Sequence, residues 1–266
     1  MNEMQFKLLE MFKWLDRFLR SNQIPYYVIG GTMLGAVRHH GFIPWDDDID
    51  IAVPRNEYEK LIHLLKEKTE HYIIESATTR KKGFIYNFAK FYDTNTSMTE
   101  LARHNVKRGL FIDVFPLDGI GNNIDEALMN YKRIDNYNML LAMKCCKYRS
   151  DRAWWKNILL FFGRMLPVSV DWLLDRIDLE CKKHSFENCN YVGNLVSTYR
   201  SREIMKKEFF GTPTEYQFED ITVFGPEKYE EYLSQLFHDW RQIPPENQRH
   251  PAHDFIDLDY NTPYLT

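Results

Sequence analysis

Four aspartates occupy five consecutive positions of this chain, at Asp46, Asp47, Asp48 and Asp50. Carboxylates packed that closely repel one another unless water or a cation relieves the charge, so this run constrains the fold more than any other segment. From Asp48 to Val53 polar and apolar residues alternate and Pro54 closes the stretch, the pattern of a strand with one acidic face. Side chains two apart on a strand project to the same side roughly 7 Å from each other. Asp48 and Asp50 so placed bracket a hard divalent ion. Mg²⁺ suits them, because it accepts one or two protein carboxylates and completes its shell with water and substrate phosphates; Mn²⁺ is the natural substitute. Two other readings stay open: Asp46 to Asp48 as a solvated turn after Pro44, and a calcium loop. In the second, Asp46, Asp48, Asp50 and Glu57 match positions of the helix-loop-helix pattern, but Ile51 replaces its turn glycine.

Upstream, Tyr26 to Ile29 reads as a short buried strand that runs into Gly30-Gly31-Thr32, with Thr32 as the cap of a helix from Met33 to His39. Bare backbone amides at a helix N-terminus hold phosphate. The pair matches neither the Walker pattern nor G-x-G-x-x-G, and a plain tight turn is the alternative. A phosphate cradle followed by a carboxylate pair on the next strand is nevertheless the minimum equipment of phosphoryl transfer.

Helical spacing of apolar residues marks an amphipathic helix from Met4 to Leu19 and another from Asn56 to Lys68. Strands are expected at Tyr72 to Glu75, Phe84 to Tyr92 and Leu110 to Phe115. Beyond Ile124 the composition turns helical, with helices at Asp125 to Lys147, Ala153 to Met165 and Val170 to His184. The tail carries a hairpin near Phe218 to Phe224, a helix near Lys228 to Phe237 and a Pro-rich irregular end. The order αβαβαβββ followed by helices describes an α/β or α+β sheet domain. Residues 1–122 form its core, and residues 123–266 form a helical half and tail packed on that core, with no Gly/Ser linker between them.

A net charge of -4 disfavours nucleic acid as a partner. Charges scattered through Met1 to Arg20 do not make an export leader, and the apolar run from Ile158 to Val168 is broken by Gly163, Arg164 and Pro167. That run is far short of the roughly 20 residues a membrane span needs. A cytoplasmic protein is expected. Trp154-Trp155 with the run from Ile158 to Met165 is either core or a peripheral contact with the inner face of a membrane. The four cysteines, Cys145, Cys146, Cys181 and Cys189, form no C-x-x-C pair; they are either buried thiols or, with His184, a zinc site.

The run from Ile29 through Gly30-Gly31-Thr32, Arg38-His39-His40-Gly41-Phe42-Ile43-Pro44-Trp45 and Asp46-Asp47-Asp48-Ile49-Asp50-Ile51 closely resembles the LicD family of phosphocholine transferases, which is related to fukutin-type ribitol-phosphate transferases. The resemblance recurs at Arg108-Gly109-Leu110-Phe111-Ile112-Asp113-Val114-Phe115-Pro116-Leu117-Asp118. It is looser at Phe224-Gly225-Pro226, Tyr229, Tyr232-Leu233, Pro244-Pro245 and Arg249. Two elements depart from the family pattern: its paired histidines read Ala252-His253, and its Tyr-Gly-Asp reads Phe237-His238-Asp239.

The resemblance implies an α+β, nucleotidyltransferase-like fold of the polymerase β type, a mixed sheet flanked by helices with a helical extension. It implies transfer of phosphocholine, or a similar substituted phosphate, from CDP-choline or a related CDP donor. The acceptor would be a glycan hydroxyl of teichoic acid, lipopolysaccharide or capsule, and could be lipid-linked. Ribitol-phosphate, glycerol-phosphate or nucleotidyl transfer are the alternatives, together with a non-catalytic metal or glycan binder. In this reading Asp48 and Asp50 hold Mg²⁺, and Asp113 is the third carboxylate that orients or deprotonates the acceptor. Ile112-Asp113-Val114 also reads as an edge strand with its aspartate in water. Gly30, Gly31 and Thr32 would cradle the donor, and Arg38, Lys90 and Arg249 are candidate phosphate clamps. Trp45 is a stacking surface for cytosine or choline, or simply a core ring. His253, like His39 and His40, is a candidate proton carrier or a surface or satisfied histidine.

Overall fold

The computed structural model describes residues 1–67, 69, 71–81, 83–148, 153–251, 253 and 255–264. Helix α1 (Glu3–Ser21) opens the fold. Asn2 accepts from the Gln5 amide while Gln5 returns a bond to the Asn2 amide, a reciprocal cap, and Leu8, Phe12, Leu15 and Leu19 form its buried stripe. Strand β1 (Tyr27–Val28), helix α2 (Gly30–His39), strand β2 (Asp50–Pro54) and helix α3 (Arg55–Leu64) follow, then β3 (Tyr72–Glu75), β4 (Ala89–Asp93), β5 (Ser97–Glu100), β6 (Val106–Arg108) and β7 (Phe111–Gly121). Helices α4 (Ile124–Cys145), α5 (Trp154–Met165) and α6 (Val170–Cys181) make the helical half. The rest comprises β8 (Tyr191–Gly193), β9 (Met205–Lys206), α7 (Lys207–Phe210), β10 (Thr214–Phe218), β11 (Ile221–Gly225), α8 (Tyr229–Phe237) and β12 (Phe255–Asp259).

The architecture is α+β. Its main sheet runs β1-β2-β7-β4-β3, with β8 and then β9 added beside the far half of β7. The β2–β7 pair is parallel and every other pair in the sheet is antiparallel. All eleven residues of β7 are buried, as expected of a strand with partners on both edges and cover on both faces. Pro116 costs the ladder little: pairing with β4 ends at Val114 and pairing with β8 begins at Asp118. A hairpin, β10-β11, and a small sheet, β12-β5-β6, complete the strands. One apolar core gathers α1, α2, β1, β2, β4 and β7; a second joins the end of β7 to α4 and α6.

Several expectations need correction. The strand expected from Phe84 begins only at Ala89, because Phe84, Tyr86 and Phe88 pack ring against ring, with Phe88 4.3 Å from Phe115, instead of pairing backbones. Strand β7 runs six residues past Phe115 because β8, some seventy positions later, pairs with the extension. The irregular tail contains β12, which pairs with β5. Helix α3 stops at Leu64; its expected end, Lys68, lies outside the described residues, as does Ala252. The apolar residues of α5 are not core, since only Leu160 and Gly163 of that helix are buried. No single helix is long and apolar enough to cross a membrane. The cysteines do not converge: Cys145 and Cys181 pack with the second core and Cys189 with the first, and no cysteine belongs to a candidate metal cluster among the described residues.

One buried ion pair ties the helical half to the sheet. Arg55, on the first turn of α3, donates Nε to Asp118 Oδ1 and Nη2 to Oδ2, both at 2.7 Å, and Nη1 to Asp178 of α6 at 3.1 Å. Asp118 is fully buried on β7, so removing the guanidinium would leave a carboxylate stranded in the core. Arg55→Ala is expected to lower the free energy of unfolding by about 3–5 kcal/mol, read from denaturant titrations; a loss below about 1 kcal/mol would show the pair to be peripheral.

Candidate active site

The site grows from the β2–β7 register. Parallel pairing sets Asp50 opposite Asp113, and antiparallel pairing sets Asp113 opposite Lys90 on β4. The three residues therefore form one row across adjacent strands, on one face of the sheet. Asp113 lies on a central strand and is 4% exposed, so the water-facing edge reading is overturned. Lys90 is 1% exposed, and its ammonium sits 3.1 Å from Asp113 Oδ1 and 3.2 Å from Glu100 Oε1, above the Phe111 ring. As a phosphate clamp Lys90 is corrected: buried among carboxylates and rings, it balances charge inside the site.

Asp46 to Ile49 precede the strand, which starts at Asp50 and not at Asp48. Gln5 of α1 reaches across to hold this approach, donating Nε2 to the carbonyls of Ile43 and Asp46. Asp47 is buried, which excludes a solvated turn, and Ile51 and Glu57 lie in β2 and α3, which excludes a calcium loop.

The Gly30-Gly31 turn abuts the acids. Gly30 takes φ +56°, a conformation cheap only for glycine, and donates its amide to the buried Tyr232 hydroxyl at 3.0 Å. A Cβ on Gly31 would fall 2.9 Å from Asp46 Oδ2, so a side chain there would collide with the acidic run. Helix α2 starts at Gly30, and Thr32 does not cap it: the Thr32 hydroxyl accepts from the Asp50 amide at 2.8 Å, binding the helix start to the acidic strand.

Charge accumulates here. Burial first, then Asp48 and Asp113, hold the Asp50 carboxyl well above the usual carboxylate range. Burial and the charges of Asp48 and Asp47 push Asp46 up to about 8. Burial raises Asp48 too, and raises Asp113 to about 6 against the pull of Lys90. Burial opposes protonation of His253, but its bond to Asp47 and the charge of Asp48 prevail and lift it to about 9. His253 Nδ1 lies 3.2 Å from Asp47 Oδ1 and 3.6 Å from Asp48 Oδ2; it is a satisfied histidine held against the acids, not a free surface one. Asp47, Asp48 and His253 are the one trio among the described residues whose candidate ligand atoms all lie within 4.8 Å of one another.

Other expected residues fall apart from this row. Arg38 sits at the last turn of α2, about 12 Å along the axis from Gly30, and spends its guanidinium on the carbonyls of Trp240 and Gln242. It fastens the tail instead of clamping phosphate. Exposed Arg249 stacks over Trp45, its guanidinium carbon 5.4 Å from the ring, while Nε donates to Pro244 O. His39 packs edge-on to the same indole. The departure at His238 is physically legible, since it adopts φ +59°, a glycine-like conformation where the resemblance has glycine. Sequence reasoning missed Glu100, Gln5 and Tyr199; the last feels the charges of Asp50, Asp48 and Asp46. None carries a local signal, because their roles depend on distant pairings. Tyr232 was noted only as part of a loose motif.

A family model described as LicD/FKTN/FKRP, nucleotidyltransferase domain, matches residues 23–140, the segment that contains the whole row. The lipopolysaccharide cholinephosphotransferase LicD of Haemophilus influenzae is 30% identical over 263 residues, covering 95% of this chain and 96% of that protein. The chain belongs to the LicD family. Uncharacterized proteins of Rickettsia prowazekii and Rickettsia typhi are 46% and 48% identical over 57 and 46 residues, covering 21% and 17% of this chain and 20% and 15% of their own lengths. Against the LicD protein of Haemophilus influenzae, by contrast, the similarity runs through helical half and tail alike.

Burial and the neighbouring acids hold the Asp50 carboxyl above its range in an unfolded chain, so at neutral pH folding must either protonate it or strand its charge beside Asp48 and Asp113. Asp50→Asn removes that cost without changing shape, so it is expected to raise the stability of the protein in chelator at neutral pH by about 1–2 kcal/mol, seen as a melting temperature a few degrees higher, with the gain fading as the pH falls through the ordinary carboxylate range. An unchanged or lower melting temperature would show that the acids do not repel across the row.

Proposed function

We propose that this chain is a metal-dependent transferase that moves phosphocholine from a CDP-activated donor onto a hydroxyl of a cell-surface glycan of the lipopolysaccharide type. The observation that carries the reading is the cross-strand row of Asp50 and Asp113 set against the Gly30-Gly31 helix start. It occurs in a chain related along nearly its whole length to a lipopolysaccharide cholinephosphotransferase. The arrangement is consistent with a nucleotidyltransferase-like core.

The donor set fits a hard divalent cation: it offers carboxylate oxygens, on four carboxyls whose pKa values are raised by burial first and then by one another's charge. Asp48 and Asp50 would hold Mg²⁺ or Mn²⁺, which when bound supplies charge neutralisation for the donor diphosphate and the departing CMP. The first-turn amides of α2 at Gly31 and Thr32 carry the partial positive charge of the helix start and hold phosphate oxygens. The Thr32–Asp50 bond keeps that cradle in register with the acidic strand. Asp113, oriented by Lys90, receives the acceptor hydroxyl and its proton. Tyr232 anchors Gly30 from behind, so the turn keeps its shape when the donor arrives.

Asp50→Asn is expected to stay folded yet lose metal-dependent CMP release from CDP-choline by about 10³-fold, or ~4 kcal/mol. Turnover at the wild-type rate in that variant would remove the acidic row from the mechanism. The transferred group is read by offering CDP-choline, CDP-ethanolamine, CDP-ribitol, CDP-glycerol and nucleoside triphosphates in parallel. Metal-dependent consumption is expected with CDP-choline foremost; preference for a polyol-phosphate donor would move the chain to the ribitol-phosphate side of the family.

A further inference from the structure

Helix α5 turns its apolar side to the solvent. At 100° per residue, Trp154, Trp155, Ile158, Phe161, Phe162 and Met165 fall within an arc of about 120°. All six are exposed, Trp154 to 74%, Phe162 to 58% and Met165 to 67%. A surface helix ordinarily buries such a stripe. Here the buried side is the opposite one, Leu160 and Gly163, and it is built to stay there. A Cβ on Gly163 would come 2.5 Å from Met143 Cβ on α4, so the two helices touch at closest approach. Arg164 donates to Cys146 O, and Lys144 donates to Leu166 O, both at 2.6 Å, which pins the end of α5 to the end of α4. Rotating α5 to hide its rings would break these contacts.

The charge pattern names the occupant. Between Lys147 and Val170 the chain has five basic residues and one acidic, Asp151. Lys156 is exposed beside the Trp155 ring. Exposed tryptophans, phenylalanines and leucines in a segment of net positive charge, with Lys156 exposed among the rings, suit the headgroup zone of an anionic bilayer. A helix of twelve residues is about 18 Å long, too short for a hydrocarbon core of about 30 Å, so it lies in the plane of the surface. A cavity of about 610 Å³, whose lining includes Tyr86, Cys145 and Cys146, lies beside the end of α4 to which α5 is pinned.

We propose that α5 is an in-plane anchor that seats this protein on an anionic lipid surface. Where the acceptor is carried by a lipid, which rests on the function proposed above, the anchor holds the protein at the surface that carries it. The anchor itself does not depend on that reading. Full-length wild type, Phe161→Glu/Phe162→Glu and Asp50→Asn are mixed with vesicles of phosphatidylcholine alone or with added phosphatidylglycerol, and floated on a density gradient. Wild type and Asp50→Asn are expected to float with the anionic vesicles and far less with the neutral ones. The double-glutamate variant should lose at least about tenfold in partitioning while keeping the wild-type melting temperature. Wild type that remains unfloated with both vesicles, or a variant that floats equally well, overturns the anchor. So does light scattering that shows a dimer split by the variant, which would give the face to a second copy of the chain. Wild type that floats yet fails to release CMP from CDP-choline, or Asp50→Asn that floats and turns over at the wild-type rate, would fault the functional reading alone.

Discussion

The parallel pairing of β2 with β7 is the constraint on which the rest depends. It sets Asp50 against Asp113 from segments more than sixty residues apart and forces carboxylates into a buried row. Around that row the structure collects what positive charge it can, Lys90 from β4 and His253 from the tail. Burial, and then the charge of neighbouring acids, keeps these carboxyls hard to ionise. A fold optimised for stability alone would not keep such a row; the proposed cation and diphosphate would account for it.

Support for the row comes from remote parts of the chain. Gln5 steadies the approach to the acids from α1, Tyr232 holds Gly30 from α8, and Thr32 ties the start of α2 to Asp50. Arg55 locks β7 to α3 and α6 through Asp118, which lies on the same strand as Asp113. Helices and tail thus work as the frame of the sheet's active face, in keeping with a relationship to a LicD protein that spans both halves.

What the sequence revealed follows how local each signal is. Asp46 to Asp50, the Gly30-Gly31 turn and Asp113 announce themselves within a few residues, and α1 and α4 show in their 3.6-residue periodicity. Strands β8, β9 and β12 are invisible in the sequence, because segments of two to five residues acquire strand character only from partners far along the chain. Phe84 to Phe88 alternate like a strand but use their rings to pack. Lys90 looked like a ligand for phosphate because no sequence pattern announces that Glu100 and Asp113 will converge on it. The outward face of α5 was equally hidden: periodicity shows that a helix has two sides, not which one meets the protein.

Alignment of Asp50 with Asp113 is made by backbone ladders, whose side chains alternate with a period of two. A single residue inserted into β2 or β7 would turn its aspartate through the sheet to the opposite surface, while composition and hydrophobic content stayed the same. Strands β5 and β6, between β4 and β7, pair in a separate small sheet and do not set this parity. The parity of β2 and β7, and not the overall apolar content of the chain, is therefore what keeps the two carboxylates on one face.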